Sequence, residues 1–373
     1  MKKKIRITIS TLNGGGAEKV LINLLKELND EYMIDLFLIT KQGVYLKEVP
    51  KEITINYNFE PLISDNWLKK VKNSMIARYK NIIWKLDCSY IYNKNKKKYD
   101  YEIAFLEGVS TQIVSKSKNN NTKKIAWIHT DLIKHRVLDK SIERKIYKKF
   151  DTIICVSNQA KESFLELYPE YKKKVKVIYN LINKKEILEK SNFELNNEFQ
   201  YLNIISVGRL VKAKGYDILL NACELLLAKK IYFKLIILGE GPEENELKKY
   251  IKYNKLEEYI KLKSFKENPY PYIKKADIFV LASRYEGFSL VLAEAIVLEK
   301  PIIATTCTGP NEILNNGKYG IQVPIENVEK LAEALEMLLL DENKRMYYSK
   351  KSEERKFFFD MNKTLIEVKS LFT

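Results

Sequence analysis

The chain has 373 residues, of which 46% are hydrophobic, with 13 Gly, 9 Pro and no long repetitive tract. That length and apolar content suit two or three globular domains of roughly 100 to 200 residues each, and they exclude collagen-like, solenoid and disordered classes. The net charge of +17 predicts attraction to an anionic partner, whether nucleic acid, anionic lipid or phosphorylated substrate, and composition does not choose among them. Cys88, Cys155, Cys223 and Cys307 lie far apart with no C-x-x-C pair, so neither a zinc cluster nor a disulfide framework is expected, and a reducing cytosol fits best.

In chain order, Met1-Lys2-Lys3-Lys4 has the basic start of a secretory signal. Arg6, Thr8 and Ser10 interrupt its apolar stretch and no small-residue cleavage site follows, so 4–10 reads as a first strand. Short β-branched runs then alternate with helical patterns: helix 17–28, strands 34–40, 102–106, 124–129 and 152–157, helix 159–167 and strand 175–179. A polar stretch at 183–200 suggests a hinge. The alternation resumes with strand 201–207, helix 216–229, strand 233–239, helix 243–253, strands 260–263 and 278–282, helix 289–298, strand 302–305 and helix 328–340. Apolar segments such as 290–298 are far shorter than the roughly 18 residues a membrane-spanning helix needs. The expectation is an α/β protein of two doubly wound domains, 1–180 and 181–354, with a terminal helix 355–373 packing back on the first. Ligands are expected beyond the carboxyl ends of the strands, in a cleft between the two sheets.

Three segments could carry chemistry. Asn13-Gly14-Gly15-Gly16-Ala17-Glu18-Lys19 follows the first strand and opens a helix, where residues without a Cβ let a backbone approach a phosphate. It is neither a Walker A loop nor a full dinucleotide fingerprint, and a plain tight turn explains it equally well. Ser206-Val207-Gly208-Arg209-Leu210-Val211-Lys212-Ala213-Lys214-Gly215 places Arg209 and Lys214 after a strand, a fork and a point charge able to neutralise a diphosphate. Ser283-Arg284-Tyr285-Glu286-Gly287-Phe288-Ser289 sets Glu286 in a loop, Gly287 at a tight turn and Ser289 as N-cap of a helix carrying Glu294 in an apolar run. Two carboxylates at one strand-to-helix corner suit vicinal sugar hydroxyls.

These motifs resemble the GT-B glycosyltransferases, in particular the retaining group with a Glu-x7-Glu signature, glycosyltransferase family 4. Glu286 and Glu294 have that spacing, and the likeness spans nearly the whole chain, including Gly239-Glu240-Gly241-Pro242 and Gly317-x-x-Gly320. The resemblance implies that Arg209 and Lys214 hold the donor diphosphate, Glu294 the ribose and Glu286 the transferred sugar. Gly14, Gly15 and Gly16 approach the donor phosphate from the other domain, and Gly287, Phe288, Ser289 and Leu290 complete the donor site. Trp127-Ile128-His129-Thr130-Asp131 ends a first-domain strand where relatives place a His near the reacting carbon, which makes His129 a catalytic candidate; His135 has no expected role. Thr308-Gly309-Pro310-Asn311-Glu312, which departs from the commoner Gly-Gly pair, looks like bacterial enzymes that build capsule, O-antigen or protein-linked glycans from UDP-sugars. The family scheme retains anomeric configuration and needs no metal or other cofactor.

The implied partners are a UDP-sugar, carrying Gal, GalNAc, Glc or GlcNAc, and a glycan acceptor on a polyprenyl diphosphate. Residues 61–100 interleave ten Lys/Arg with Trp67, Met75, Ile76, Ile82, Ile83, Trp84 and Leu86, a composition suited to a helix on the anionic inner face of the cytoplasmic membrane. A UDP-sugar epimerase or a phosphorylase would share the architecture but not the set Arg209, Lys214 and Glu286. A basic nucleic-acid or lipid-binding protein would explain the charge, yet no nucleic-acid module is recognisable.

Overall fold

The computed structural model describes residues 2–60, 97–119, 121–195 and 202–373. The chain forms two units, 1–179 with 363–373, and 180–362.

In the first unit, seven parallel strands are β1 (Lys4–Ile9), β2 (Met33–Thr40), β3 (Thr54–Phe59), β4 (Tyr101–Ala104), β5 (Lys123–Ile128), β6 (Thr152–Cys155) and β7 (Val175–Val177), in the order β3-β2-β1-β4-β5-β6-β7. Helices α1 (Gly16–Leu28), α2 (Val109–Ser115), α3 (Lys140–Tyr147) and α4 (Asn158–Leu167) connect them. Five of the six β1 residues and all four of β4 are buried, as expected for strands covered on both faces. Tyr147, Phe150, Phe164 and Tyr168 form an aromatic core beside β5 and β6.

The second unit opens with α5 (Lys184–Lys190) and holds six parallel strands, β8 (Asn203–Val207), β9 (Lys234–Leu238), β10 (Ile260–Lys263), β11 (Ile278–Leu281), β12 (Ile302–Thr305) and β13 (Ile321–Val323), ordered β10-β9-β8-β11-β12-β13. Helices α6 (Tyr216–Ala228), α7 (Glu244–Tyr253), α8 (Tyr270–Lys275), α9 (Leu290–Val297), α10 (Thr308–Ile313), α11 (Val328–Leu340) and α12 (Glu342–Arg355) complete it. In their own strand numbers the first sheet runs 3-2-1-4-5-6-7 and the second 3-2-1-4-5-6, so each reverses direction between its first and fourth strands. That switch point is where doubly wound sheets bind ligands.

The structure corrects the sequence reading in several places. The polar stretch 183–200 begins with a helix: Asn183 caps α5 by accepting from the N–H of Glu186 at 3.0 Å, and Asn268 donates to the Lys190 carbonyl at 2.9 Å. Ile187 is the one buried residue of α5, so the helix had no apolar period to reveal it. Strands β3 and β13 were unforeseen, being a polar edge and a three-residue piece. The return to the first unit comes at 363 rather than 355, because Arg355 donates to the carbonyls of Ile313 and Glu312 at 2.6 and 2.9 Å. The returning helix Met361–Lys369 leads to Phe372, whose ring meets Tyr32 and Tyr101 edge-on at 5.0 and 5.2 Å. Among the described residues no helix is long and apolar enough to cross a membrane. The basic segment expected at a membrane lies outside the described residues over 61–96.

Candidate active site

In the second unit the loops after β8 and β9 are laced together by backbone. Gly208 N donates to Leu238 O at 3.0 Å, Leu210 N to Glu240 O at 2.9 Å, and Glu243 N to Leu210 O at 3.0 Å. A Cβ on Gly241 would lie 2.8 Å from the Leu210 backbone, so the second loop is glycine because the first runs against it. The turn Lys212–Lys214 then ends on Gly215, whose φ of +64° is the left-handed region other residues avoid. A Cβ there would strike the Ala282 carbonyl, 3.1 Å from its carbon.

This turn delivers Lys214 to Glu286 in the loop after β11. The Lys214 ammonium pairs with Glu286 Oε1, and Ser283 Oγ donates to the same oxygen at 3.0 Å. The two side chains are only 19% and 12% exposed, so the pair is weakly screened by solvent. Gly309 N, at the start of α10, donates to the Glu286 carbonyl at 3.0 Å and holds the loop from the far side. Arg209 is exposed, and its side chain has no ion-pair partner among the described residues.

Glu294 has different surroundings. It is 4% exposed within α9, among Leu292, Ala293, Ala295 and Ile296, and accepts from Tyr270 Oη at 3.2 Å. Ser289 occupies the N-cap of α9, but its side chain makes no capping bond, against the sequence expectation; its Oγ is buried and unpartnered among the described residues. The first turn is closed by backbone alone, Ala293 N to Ser289 O at 3.2 Å. Its amides and a buried hydroxyl thereby remain as donors, the usual equipment of an anion site at a helix start. Gly287 and Phe288 are buried beside Gly309, and Leu290 starts the helix.

In the first unit, Gly14 has φ +100° and Gly15 caps α1. The Glu18 carboxylate folds over Gly15 so closely that a Cβ there would clash with it. An acidic side chain at a helix start complements the dipole, and Glu18 stands in the first turn of α1.

His129 follows β5. Its backbone N–H donates to Glu107 Oε2 at 2.9 Å, its ring lies 5.0 Å from that of Phe105, and it bonds the Phe105 carbonyl. Although the residue is part-exposed, its Nε2 is sealed from solvent and has no partner among the described residues. The bond to Phe105 therefore uses Nδ1. Burial pulls the imidazole pKa down to about 3, so near neutral pH the ring is uncharged and Nε2 is an acceptor. Burial pushes the Glu107 carboxyl up. Asp131 is buried and anchors the next loop, accepting from Ser163 Oγ at 2.6 Å and Ile133 N at 3.0 Å. His135 is exposed.

Glu107 escaped the sequence reading. Glu107-Gly108 follows β4 as Glu286-Gly287 follows β11, the equivalent strand of the other sheet; comparing the two halves would have drawn attention to it. Arg284 also went unread, although it stands two residues before Glu286. Among the described residues, no three His, Cys, Asp or Glu side chains gather in a way that suits a metal ion.

Two doubly wound units of parallel strands, with basic and acidic groups at the switch point of the second sheet, have the GT-B architecture. Two family profiles match the chain in succession, Glycosyltransferase Family 4 over residues 14–186 and Glycosyl transferases group 1 over 186–355. A Campylobacter jejuni protein, N-acetylgalactosamine-N,N'-diacetylbacillosaminyl-diphospho-undecaprenol 4-alpha-N-acetylgalactosaminyltransferase, is 30% identical over 365 residues, covering 96% of each chain. A lipopolysaccharide core biosynthesis glycosyltransferase of Rhizobium meliloti is 23% identical, over 59% of this chain and 63% of its own. The crystal structure of Anabaena HepE with UDP and glucose superposes with a TM-score of 0.79 at 18% identity, covering 99% of both chains. The chain belongs to the GT-B glycosyltransferases of family 4 and is a glycosyltransferase.

Proposed function

We propose that this glycosyltransferase moves a hexose or N-acetylhexosamine (Gal, GalNAc, Glc or GlcNAc) from a UDP-sugar, with retention and without a metal, to a bacterial surface glycan carried on a polyprenyl diphosphate. The observation that carries the reading is the shielded Lys214–Glu286 pair at the switch point of the second sheet. The activity for which the Campylobacter relative is named supports the sugar class and the lipid-diphosphate acceptor, and the UDP bound to HepE supports the nucleotide.

In this reading Lys214 and the exposed Arg209 neutralise the departing diphosphate, joined by the α9 amides and Ser289 Oγ, and catalysis rests on preorganised charge and positioning. Both bonds to Glu286 end on Oε1, leaving Oε2 for a sugar hydroxyl, while Glu294 takes the ribose hydroxyls. Neutral His129, its ring packed on Phe105, lines the sugar site and donates no proton. Work at the inner face of the cytoplasmic membrane follows from a lipid-linked acceptor. Exposed Ile133, Val137 and Ile142 beside Lys134, Arg136 and Lys140 add support to that placement.

The test is a thermal-shift panel of UDP-sugars followed by transfer to a lipid-diphosphate glycan, with the product anomer read by NMR and the assay repeated in EDTA. A true donor at 100 times its Kd adds about 2.7 kcal/mol of stability. No shift with any UDP-sugar, an inverted product, or activity abolished by EDTA and restored by a divalent ion would each overturn the corresponding part. Sedimentation with anionic liposomes tests the placement: no binding at low salt overturns it.

A further inference from the structure

Arg284 has no part in the proposed chemistry, yet its side chain is held by Lys212, Asp217 and Glu326 from other segments. Its guanidinium makes four bonds: Nη1 to Asp217 Oδ1 at 2.9 Å and to the Lys212 carbonyl at 2.6 Å, Nη2 to Asp217 Oδ2 at 2.8 Å, and Nε to Glu326 Oε1 at 2.7 Å. Its backbone N–H donates to the Ala213 carbonyl at 2.8 Å. Two of these five bonds end on main-chain oxygens of the Lys212–Lys214 turn, and two on the carboxylate in the first turn of α6, just beyond Gly215. Arg284 therefore grips the turn that presents Lys214, while two residues later its own loop presents Glu286.

We infer that Arg284 is a positioning residue of the transfer reaction, whose planar fork fixes the distance between Lys214 and Glu286. The inference rests on the proposed roles of those two residues. The turn is three residues long and ends on a left-handed glycine; its own backbone bonds, Lys214 N to Val211 O at 2.9 Å and Gly215 N to Lys212 O at 3.2 Å, close it locally, and the bonds from Arg284 tie it to the loop that carries Glu286. A fork that binds a carboxylate with two parallel bonds and a carbonyl with a third sets orientation as well as position. Lysine keeps the charge and loses that geometry. The Asp217 carboxyl is held below its ordinary range, chiefly by its hydrogen bonds to Arg284, which agrees with a close and persistent pair.

The test is steady-state kinetics on Arg284→Lys and Asp217→Asn, each with a melting curve and UDP titration, and on Arg284→Lys placed in Lys214→Ala. Arg284→Lys is expected to lower kcat by about tenfold with KM for the UDP-sugar nearly unchanged, a misplaced-group effect on transition-state charge. Asp217→Asn should follow it in direction, since it releases the same fork from the other side. In the Lys214→Ala background the further loss should be less than about twofold, because residues acting through one another do not add. Wild-type kcat in Arg284→Lys, a full tenfold loss in the Lys214→Ala background, or a loss explained by unfolded protein in the melting curve would each overturn the inference. Full activity of Lys214→Ala and Glu286→Ala would instead overturn the proposed site and leave the clamp as a structural feature.

Discussion

The loops after β4 and β5 in the first unit and those after β8 and β11 in the second hang from sheets of the same strand order, yet they are built for opposite electrostatics. In the second unit the polar groups are charged and paired: Lys214 meets Glu286, and Arg284 is shared by Asp217 and Glu326. In the first, burial dominates; the His129 ring is neutral and the Glu107 carboxyl is pushed up. Only Glu107 and Glu286 stand at equivalent positions, after the fourth strand of each sheet, whereas His129 follows the fifth strand of the first sheet and Lys214 the first strand of the second; the loop sequences decide whether such groups are charged or neutral.

If the charged region dominates the barrier, its loss should be the largest effect. Lys214→Ala or Arg209→Ala is expected to lower kcat/KM by about 10² or more, as when a preorganised stabiliser of transition-state charge is removed. Near-normal turnover in either variant would remove that residue from the site.

The two carboxylates should separate next. Glu286→Ala should depress turnover with UDP affinity nearly intact, because its neighbours are Lys214 and Ser283. Glu294→Ala should weaken UDP and UDP-sugar alike. Isothermal titration with UDP distinguishes them, and equal losses would undo the assignment.

The neutral region offers a sharper contrast through pH. His129 binds its proton only near pH 3 in the folded chain but near 6.5 when unfolded. Its contribution is therefore fully present above about pH 6.5 and is lost as pH falls, by up to about 1.4 kcal/mol per unit between those values. His129→Gln should fold, bind UDP and transfer sugar poorly, and its stability should fall less steeply between pH 6 and 4 than that of the wild type. Parallel urea-midpoint profiles would show that the ring is not sealed and neutral. A smaller effect belongs to Tyr270→Phe, which removes one hydrogen bond to Glu294. UDP affinity should fall by a few-fold, on the order of the 0.5–1.5 kcal/mol of a single bond, and an unchanged Kd would separate Tyr270 from the ribose subsite.

Much of the architecture was legible along the chain because buried parallel strands are short β-branched runs and their helices have apolar stripes. Strands β10 and β12 and helix α11 were read to the residue. Helix α5 was hidden because its signal is one cap and one buried isoleucine. The motif loops were legible for a related reason. Glycines at Gly215 and Gly241 mark places where two backbones come too close for a Cβ, so the tertiary approach leaves its imprint on the residue type.

The order of elements, the paired α/β units and the candidates Arg209, Lys214, Glu286 and Glu294 were thus readable from local pattern and spacing, which require only neighbours in sequence, whereas His129 became a candidate only through the family resemblance. Partnership was not. That Lys214 ends on Glu286, that Arg284 grips a turn 72 residues away, that Ser289 stands at a cap position without capping, and that Glu107 lies against the His129 amide were decided by the tertiary structure. Hydrogen bonds and desolvation depend on which distant strands the sheet order sets side by side, and the chain does not encode that order locally.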